Sequence, residues 1–175
     1  MINVEILRLS HRIHRDIRLS SHVALTCRAF NCSKMYYSGD KDASLENTLI
    51  GINKKFGSNF TIEHIKNPER LINDKKNDDY KIIHLTMYGI SVKKKINVIK
   101  EEKRILIIIG SEHVPGVYYG LADYNISITS QPISELSALT IFLHEYFDGK
   151  ELDIKFENAK VRIIPQEKGK KIINS

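Results

Sequence analysis

Two polar interruptions in the second half of the chain stand where chemistry could sit. Gly110-Ser111-Glu112 directly follows the apolar run of RILIIIG, and Ser130-Gln131-Pro132 closes NISIT just before a helix-like segment. A fold gains little from polar side chains at such points, whereas helix starts and ligand loops use small residues and acids. A third concentration is basic. Arg12, Arg15 and Arg18 recur at every third residue after the first apolar run, which suits either phosphate contacts or a solvated basic face. His11 and His14 share that spacing but lack a third ligand for a metal, and Cys27 and Cys32 lack the CxxC spacing of a zinc or redox site. Neither a complete GxGxxG nor a GxxxxGKS is present, so the nucleotide-binding loops those motifs announce are not expected.

These groups need elements to position them. Val4 to Leu9 reads as a short strand, and the polar loop SHRIHRDIRLSS leads to Ser20 or Ser21, either of which would cap a helix running to about Phe30. KMYYSG reads as a second strand. Asp42 to Phe56 carries Leu45, Leu49 and Ile52 at helical spacing, Phe60 to Ile65 alternates as a strand, and NPERLINDKK reads as a polar helix. YKIIHLTMYG and RILIIIG are the strongest strands, joined by the Lys-rich segment Ser91 to Lys103. Ile133 to Phe147 places Leu136, Leu139, Thr140, Leu143 and Phe147 on one helical face, with Glu135 in the first turn.

Continuous apolar strands separated by helices predict an α/β fold, a mostly parallel sheet flanked by helices. Past Gly149 the pattern changes. LDIKF, a turn at Glu157-Asn158-Ala159, and VRIIP predict a C-terminal β-hairpin, dividing the chain into a body over 1–149 and an extension over 150–175. In open parallel sheets ligands bind beyond the carboxyl ends of the strands, where the loops LTMYG, IGSEHVP and ITSQPISE all fall; the three are expected to line one pocket.

Length and charge bound what that pocket serves. The 175 residues suffice for one domain with a substantial core. Lys and Arg number 27 against 21 Asp and Glu, and the resulting net charge of +6 suits a polyanionic partner such as RNA without requiring one. The N-terminus MINVEILRL is strand-like and lacks a signal peptide's apolar core, and no run approaches the roughly 18 to 20 apolar residues that span a bilayer. A soluble, cytoplasmic protein without a membrane partner is expected.

Five segments in order, HRIHRDIRLSSHVALTCRAF, HLTMYG, IGSEHVP, ADYNISITSQPISELSAL and IPQEKGKK, resemble the archaeal tRNA cytidine-56 2′-O-methyltransferases. These belong to the SPOUT superfamily of S-adenosylmethionine-dependent RNA methyltransferases. The resemblance covers nearly the whole chain, and the ordered set is far more specific than any one motif. It implies an α/β domain whose C-terminal part is threaded into a trefoil knot, an exception to the rule that chains do not thread loops. It further implies a homodimer, tRNA as partner, S-adenosylmethionine as cofactor and the ribose 2′-hydroxyl of cytidine 56 in the T-loop as target. Ribose methylation of another structured RNA, and a non-catalytic RNA-binding module of the same fold, are the alternatives.

By that resemblance, loops beginning at Leu85, Gly110 and Ile128 hold the cofactor. The first supplies Leu85, Thr86, Met87 and Gly89; the second Gly110, Ser111, Glu112, His113 and Val114; the third Ile128, Thr129, Ser130, Gln131, Ile133, Ser134 and Glu135. Arg28 matches the motif arginine assigned to the ribose hydroxyl, which it would orient or polarise, because a guanidinium is too weak an acid to serve as a base at neutral pH. Glu112 is read either as a helix-start acid or as the group that fixes Arg28 or the ribose. Ser134 completes the catalytic set, although Ser134 and Glu135 also fit a plain helix start after Pro132. Arg12, Arg15 and Arg18 are the expected RNA contacts, and methyl transfer from a sulfonium needs no metal. The family pattern ends its first helix Phe-Gly-Ala where this chain has Phe30-Asn31-Cys32, and has a His where Ile133 stands. Asn tolerates left-handed backbone nearly as Gly does, and Ile133 argues against essential His chemistry at its position.

Overall fold

The computed structural model describes residues 2–110 and 114–174, with Ile17 described by its backbone. Strands β1 (Asn3–His11), β2 (Lys34–Gly39), β3 (Thr61–His64), β4 (Lys81–Ser91), β5 (Arg104–Gly110) and β6 (Tyr124–Ser127) form one parallel sheet in the order β3-β2-β1-β5-β4-β6. The central strands are apolar runs because both faces are covered. Ile105, Ile107 and Ile109 of β5 join Val4, Ile6 and Ile83 on one face; Leu106 and Ile108 join Leu7, Leu9 and Ile82 on the other. Helices α1 (Ile13–Ala29), α2 (Ala43–Phe56), α4 (Val92–Ile99) and α6 (Glu135–Phe147) pack on the first face, through residues such as Val23, Leu45, Ile96 and Phe142. On the second lie α3 (Pro68–Asn77) and α5 (Val117–Leu121), through Ile72 and Tyr118.

The basic segment expected as a loop is the first half of α1. Acids at its start make this possible: Asp16 accepts from the Arg12 backbone N–H at 3.1 Å, and Asp40 Oδ2 accepts from the Ile13 N–H at 3.1 Å. These carboxylates satisfy donors that a helix end leaves open, so Ser20 is not needed as a cap. Ser20 is instead buried in mid-helix, 2.7 Å from His11 Nδ1. At the other end Asn31 adopts φ 58°, and the Cys32 N–H returns to the Cys27 carbonyl at 2.9 Å. The left-handed cap expected of a Gly is thus made by Asn. Both cysteines are buried free thiols, and burial pushes the Cys27 thiol up.

Two further elements differ from the sequence reading. The Lys-rich connection contains α4, whose Val92, Ile96 and Ile99 form a buried stripe between exposed lysines. LDIKF is not a strand: Lys150–Asp153 is a 3₁₀ turn, and the hairpin is β7 (Val161–Ile164) paired antiparallel with β8 (Lys171–Asn174). The approach to that hairpin is held by side chains instead of a ladder. Glu151 is buried with its Oε1 2.5 Å from His144 Nδ1, and the Phe156 ring lies 4.8 Å under the Arg28 guanidinium.

The feature that shapes the site is an irregularity between β4 and β6. Leu85 and Ile90 both pair with Ile126, so residues 86–89 leave the ladder and bulge outward. Gly89 permits this return, since a Cβ there would meet the Asn125 carbonyl and the Ile126 nitrogen at 2.6 Å. Among the described residues no helix is long and apolar enough to cross a membrane.

Candidate active site

A cleft of about 730 Å³ opens at the carboxyl ends of β4, β5 and β6, the size range of small-ligand and cofactor sites. One wall is the bulge, Thr86 to Tyr88; a second is Gly110 with Val114; a third is the segment from Ile128 to Glu135, which lacks regular structure until Ser134 caps α6 by accepting from the Ser137 N–H at 3.1 Å. The fourth is the first half of α1, with Arg12, Arg15, Asp16 and Leu19, and His84, Leu85, Ile109 and Ile126 make the floor.

The three loops therefore meet as expected. Leu85, Thr86, Met87, Gly110, Val114, Ile128, Thr129, Gln131, Ile133, Ser134 and Glu135 all line the cleft. Gly89 does not line it but lets the bulge form, and Ser130 lies in the third wall without facing in. Ser111, Glu112 and His113 lie outside the described residues. Of the basic residues, Arg12 and Arg15 line the cleft, while Arg18 is exposed on α1.

Arg28 lies away from the cleft of its own chain. Helix α1 starts at the cleft and runs away from it, and Arg28 lies thirteen residues beyond Arg15, about 20 Å further along at 1.5 Å per residue. Its guanidinium donates to Asn53 Oδ1 at 3.1 Å and to the Gly57 carbonyl, with Phe156 beneath it, and the residue is 8 % exposed. It ties α1 to α2 and to the C-terminal extension, and it does not face its own chain's cleft. His11 is likewise structural: buried between Ser20 and Asp42, its imidazole is pushed down by burial and by the Arg8 charge. His14 is exposed, and no cluster that could hold a metal occurs among the described residues.

Sequence reasoning missed two groups. Arg8 is wholly buried on β1, with Nε donating to Glu135 Oε1 at 2.8 Å and Nη2 in ion-pair contact 2.7 Å from the same oxygen and 3.9 Å from Asp16 Oδ2. Asp16 in turn takes a forked contact from the Arg12 guanidinium at 2.9 and 3.2 Å, which holds its carboxyl below the usual range. Burial pushes Glu135 up, against the pull of Arg8. The available signal was the alternation Val4, Ile6, Arg8, which puts a charge on an inward position.

The second is His84. Asn125 donates through Nδ2 to the Tyr119 carbonyl at 3.0 Å, so its Oδ1, 2.9 Å from His84 Nδ1, must accept. That fixes the proton on Nδ1 and leaves Nε2 a bare acceptor; burial pushes the imidazole down, which favours this neutral form. Tyr119 packs edge-on against the ring at 4.7 Å, and its hydroxyl lies 3.0 Å from Thr86 Oγ1. His84 thus anchors α5 to the bulge. A histidine inside an apolar strand was the sign.

A parallel six-stranded sheet with its cleft beyond β4, β5 and β6 has the fold of the SpoU/TrmH methyltransferases. The chain superposes on the A. aeolicus TrmH/SpoU tRNA modifying enzyme with a TM-score of 0.65, at 18% identity, over 87% of this chain and 77% of that one. The SpoU methyltransferase AviRb from Streptomyces viridochromogenes, solved in complex with AdoMet, gives 0.61 at 12% identity, over 84% and 57%. At those identities the likeness is one of fold. Sequence narrows it. The model of the family described as tRNA ribose 2′-O-methyltransferase, aTrm56, matches residues 56–173. The tRNA (cytidine(56)-2′-O)-methyltransferase of Methanobrevibacter smithii is 44% identical over 173 residues, 98% of this chain and 96% of that protein. The chain belongs to the aTrm56 family of tRNA ribose 2′-O-methyltransferases.

Proposed function

We propose that the cleft binds S-adenosylmethionine and that the protein transfers its methyl group to the ribose 2′-oxygen of cytidine 56 in the tRNA T-loop. One observation carries this: three strand-end segments and the basic start of α1 enclose a single cleft in a chain of the aTrm56 family. The lining fits the methyl donor chemically. Leu85, Ile126 and Ile128 offer an apolar bed for a purine, Thr129 and Ser134 offer hydroxyls, and Asp16 and Glu135 offer carboxylates for a molecule bearing an ammonium and a sulfonium.

The sulfonium supplies an activated methyl group. A 2′-hydroxyl is unreactive at neutral pH, so the protein must hold it in line with that methyl and give its proton somewhere to go. Arg12 and Arg15, the guanidiniums on the cleft wall, take the phosphates and orient the ribose, and Arg18 extends the contact along the outer face of α1. Ser134 faces the same space from the start of α6. With the donor bound, the 2′-oxygen–methyl bond would form as the sulfur–methyl bond breaks, and the hydroxyl proton would pass to solvent water. Residues 1–149 act as the catalytic body and 150–175 as an extension of it, in a cytoplasmic homodimer with its threaded segment at the cleft.

The product tests the proposal. Full-length tRNA transcript incubated with labelled S-adenosylmethionine should yield 2′-O-methylcytidine, and a transcript with deoxycytidine at position 56 should stay unlabelled. A base-methylated nucleoside would overturn the reaction. Ribose methylation elsewhere in the RNA would overturn only the target.

A further inference from the structure

We propose that Arg8 is a positioning residue for cofactor binding: its ion pair holds the Glu135 carboxylate in the cleft wall, where that carboxylate receives the α-ammonium of the methionine half of the methyl donor. The inference rests on the cofactor reading of the cleft and goes beyond it, to a residue that does not line the cleft at all.

Both Arg8 contacts, the Nε hydrogen bond and the Nη2 ion pair, use Oε1 of Glu135, a cleft-lining residue whose side chain is 7 % exposed. An arginine with no exposed surface has no contact with solvent to justify its charge, and a buried guanidinium with a single close carboxylate is an expensive way to join β1 to α6. Arg8 Nη1 and Nη2 are both buried without a hydrogen-bond partner, Nη2 meeting Glu135 only as an ion pair, so the pair is not optimised as a structural link. What the arrangement does is fix a carboxylate at the first turn of α6, beside the Ser134 cap, in a cleft wall. The charged groups around Glu135 are Arg8 on β1 and Arg12 and Asp16 on α1. Arg12 is turned toward Asp16, so Arg8 is the cation bonded directly to Glu135. Without it, Arg12 alone opposes burial and Asp16, which both favour the protonated carboxyl, a form that pairs poorly with an ammonium.

Calorimetric titration with S-adenosylhomocysteine, and with its analogue lacking the α-amino group, tests this between pH 5 and 7.5, about where an α-amino group stays protonated. The wild type should prefer the amino-bearing ligand by at least about tenfold, one pH unit's equivalent. Arg8→Met should lose most of that preference at pH 7 and show an affinity-against-pH midpoint shifted upward by about one unit or more, and Arg8→Lys should restore part of both. The paired variant Arg8→Met with Glu135→Met, in which apolar side chains replace the buried ion pair and folding is retained, should bind the two ligands equally. A folded Arg8→Met protein with the wild-type preference and midpoint overturns the proposal. So does a wild type indifferent to the amino group. A wild type that takes up neither ligand overturns the cofactor reading itself, and this proposal with it.

Discussion

At the scale of single residues, three arginines of similar appearance in the sequence have different fates. Arg8 is sealed in the sheet, Arg15 lines the cleft, and Arg28 clamps the far end of α1 to Asn53, Gly57 and Phe156. Arg28→Ala removes charge-assisted hydrogen bonds from a buried site and should cost about 2–3 kcal/mol of stability. Because the cleft lies at the other end of α1, binding of S-adenosylhomocysteine by the folded variant should be unchanged. Denaturant midpoints and calorimetry on the same preparation check both halves. A fall of several orders of magnitude in turnover per folded protomer, with stability intact, would place Arg28 in the chemistry.

At the scale of elements, the cleft depends on β4 leaving its partner for four residues. Gly89 is where the strand rejoins β6, and an added Cβ would press on backbone atoms that cannot rotate away. Gly89→Ala should therefore displace the 86–88 wall and destabilise the protein by about 1–3 kcal/mol, as overpacking does. Cofactor affinity should fall along with the denaturation midpoint. Gly116→Ala, where a Cβ would meet nothing within 4 Å, serves as the control and should change neither by a comparable amount. An equal effect of the two substitutions would refute the assignment of Gly89 to the bulge.

For the whole molecule, buried ionisable groups predict how stability follows pH. His11 and His84 are both pushed below their ordinary value of 6.5, burial being the main cause for each. The unfolded chain then takes up protons first as pH falls, so the stability these neutral rings contribute is complete above 6.5 and lost as pH drops from there toward their folded values. Each proton taken up only on unfolding lowers stability by up to about 1.4 kcal/mol per pH unit. Asp16, held low by Arg12, adds a further loss below its ordinary 3.8, whereas Glu135, pushed up by burial, works in the opposite direction above 4.5. Urea midpoints should decline between pH 7 and 5. A flat or rising curve there contradicts the buried neutral state of both rings.

The sequence by itself determined the alternation of strands and helices, the parallel sheet and the three loops that meet at one end of it. Those properties follow from local apolar periodicity and from the rule that parallel strands end on one side. It also carried Asn31 as a helix terminator, a matter of one residue's backbone preference. The terminal hairpin was legible as a hairpin but not in its strands, because LDIKF is held out of a ladder at both ends, by Glu151 just before it against His144 seven residues back and by Phe156 under the sequence-distant Arg28. Which arginine faces the cleft was a tertiary decision. The basic segment becomes helical once Asp40, on a different connection, caps its start, and the helix then carries Arg12 and Arg15 to the cleft and Arg28 away from it. The Arg8–Glu135 pair joins residues 127 positions apart, and such a pairing is written in no local pattern, because only packing brings β1 against α6.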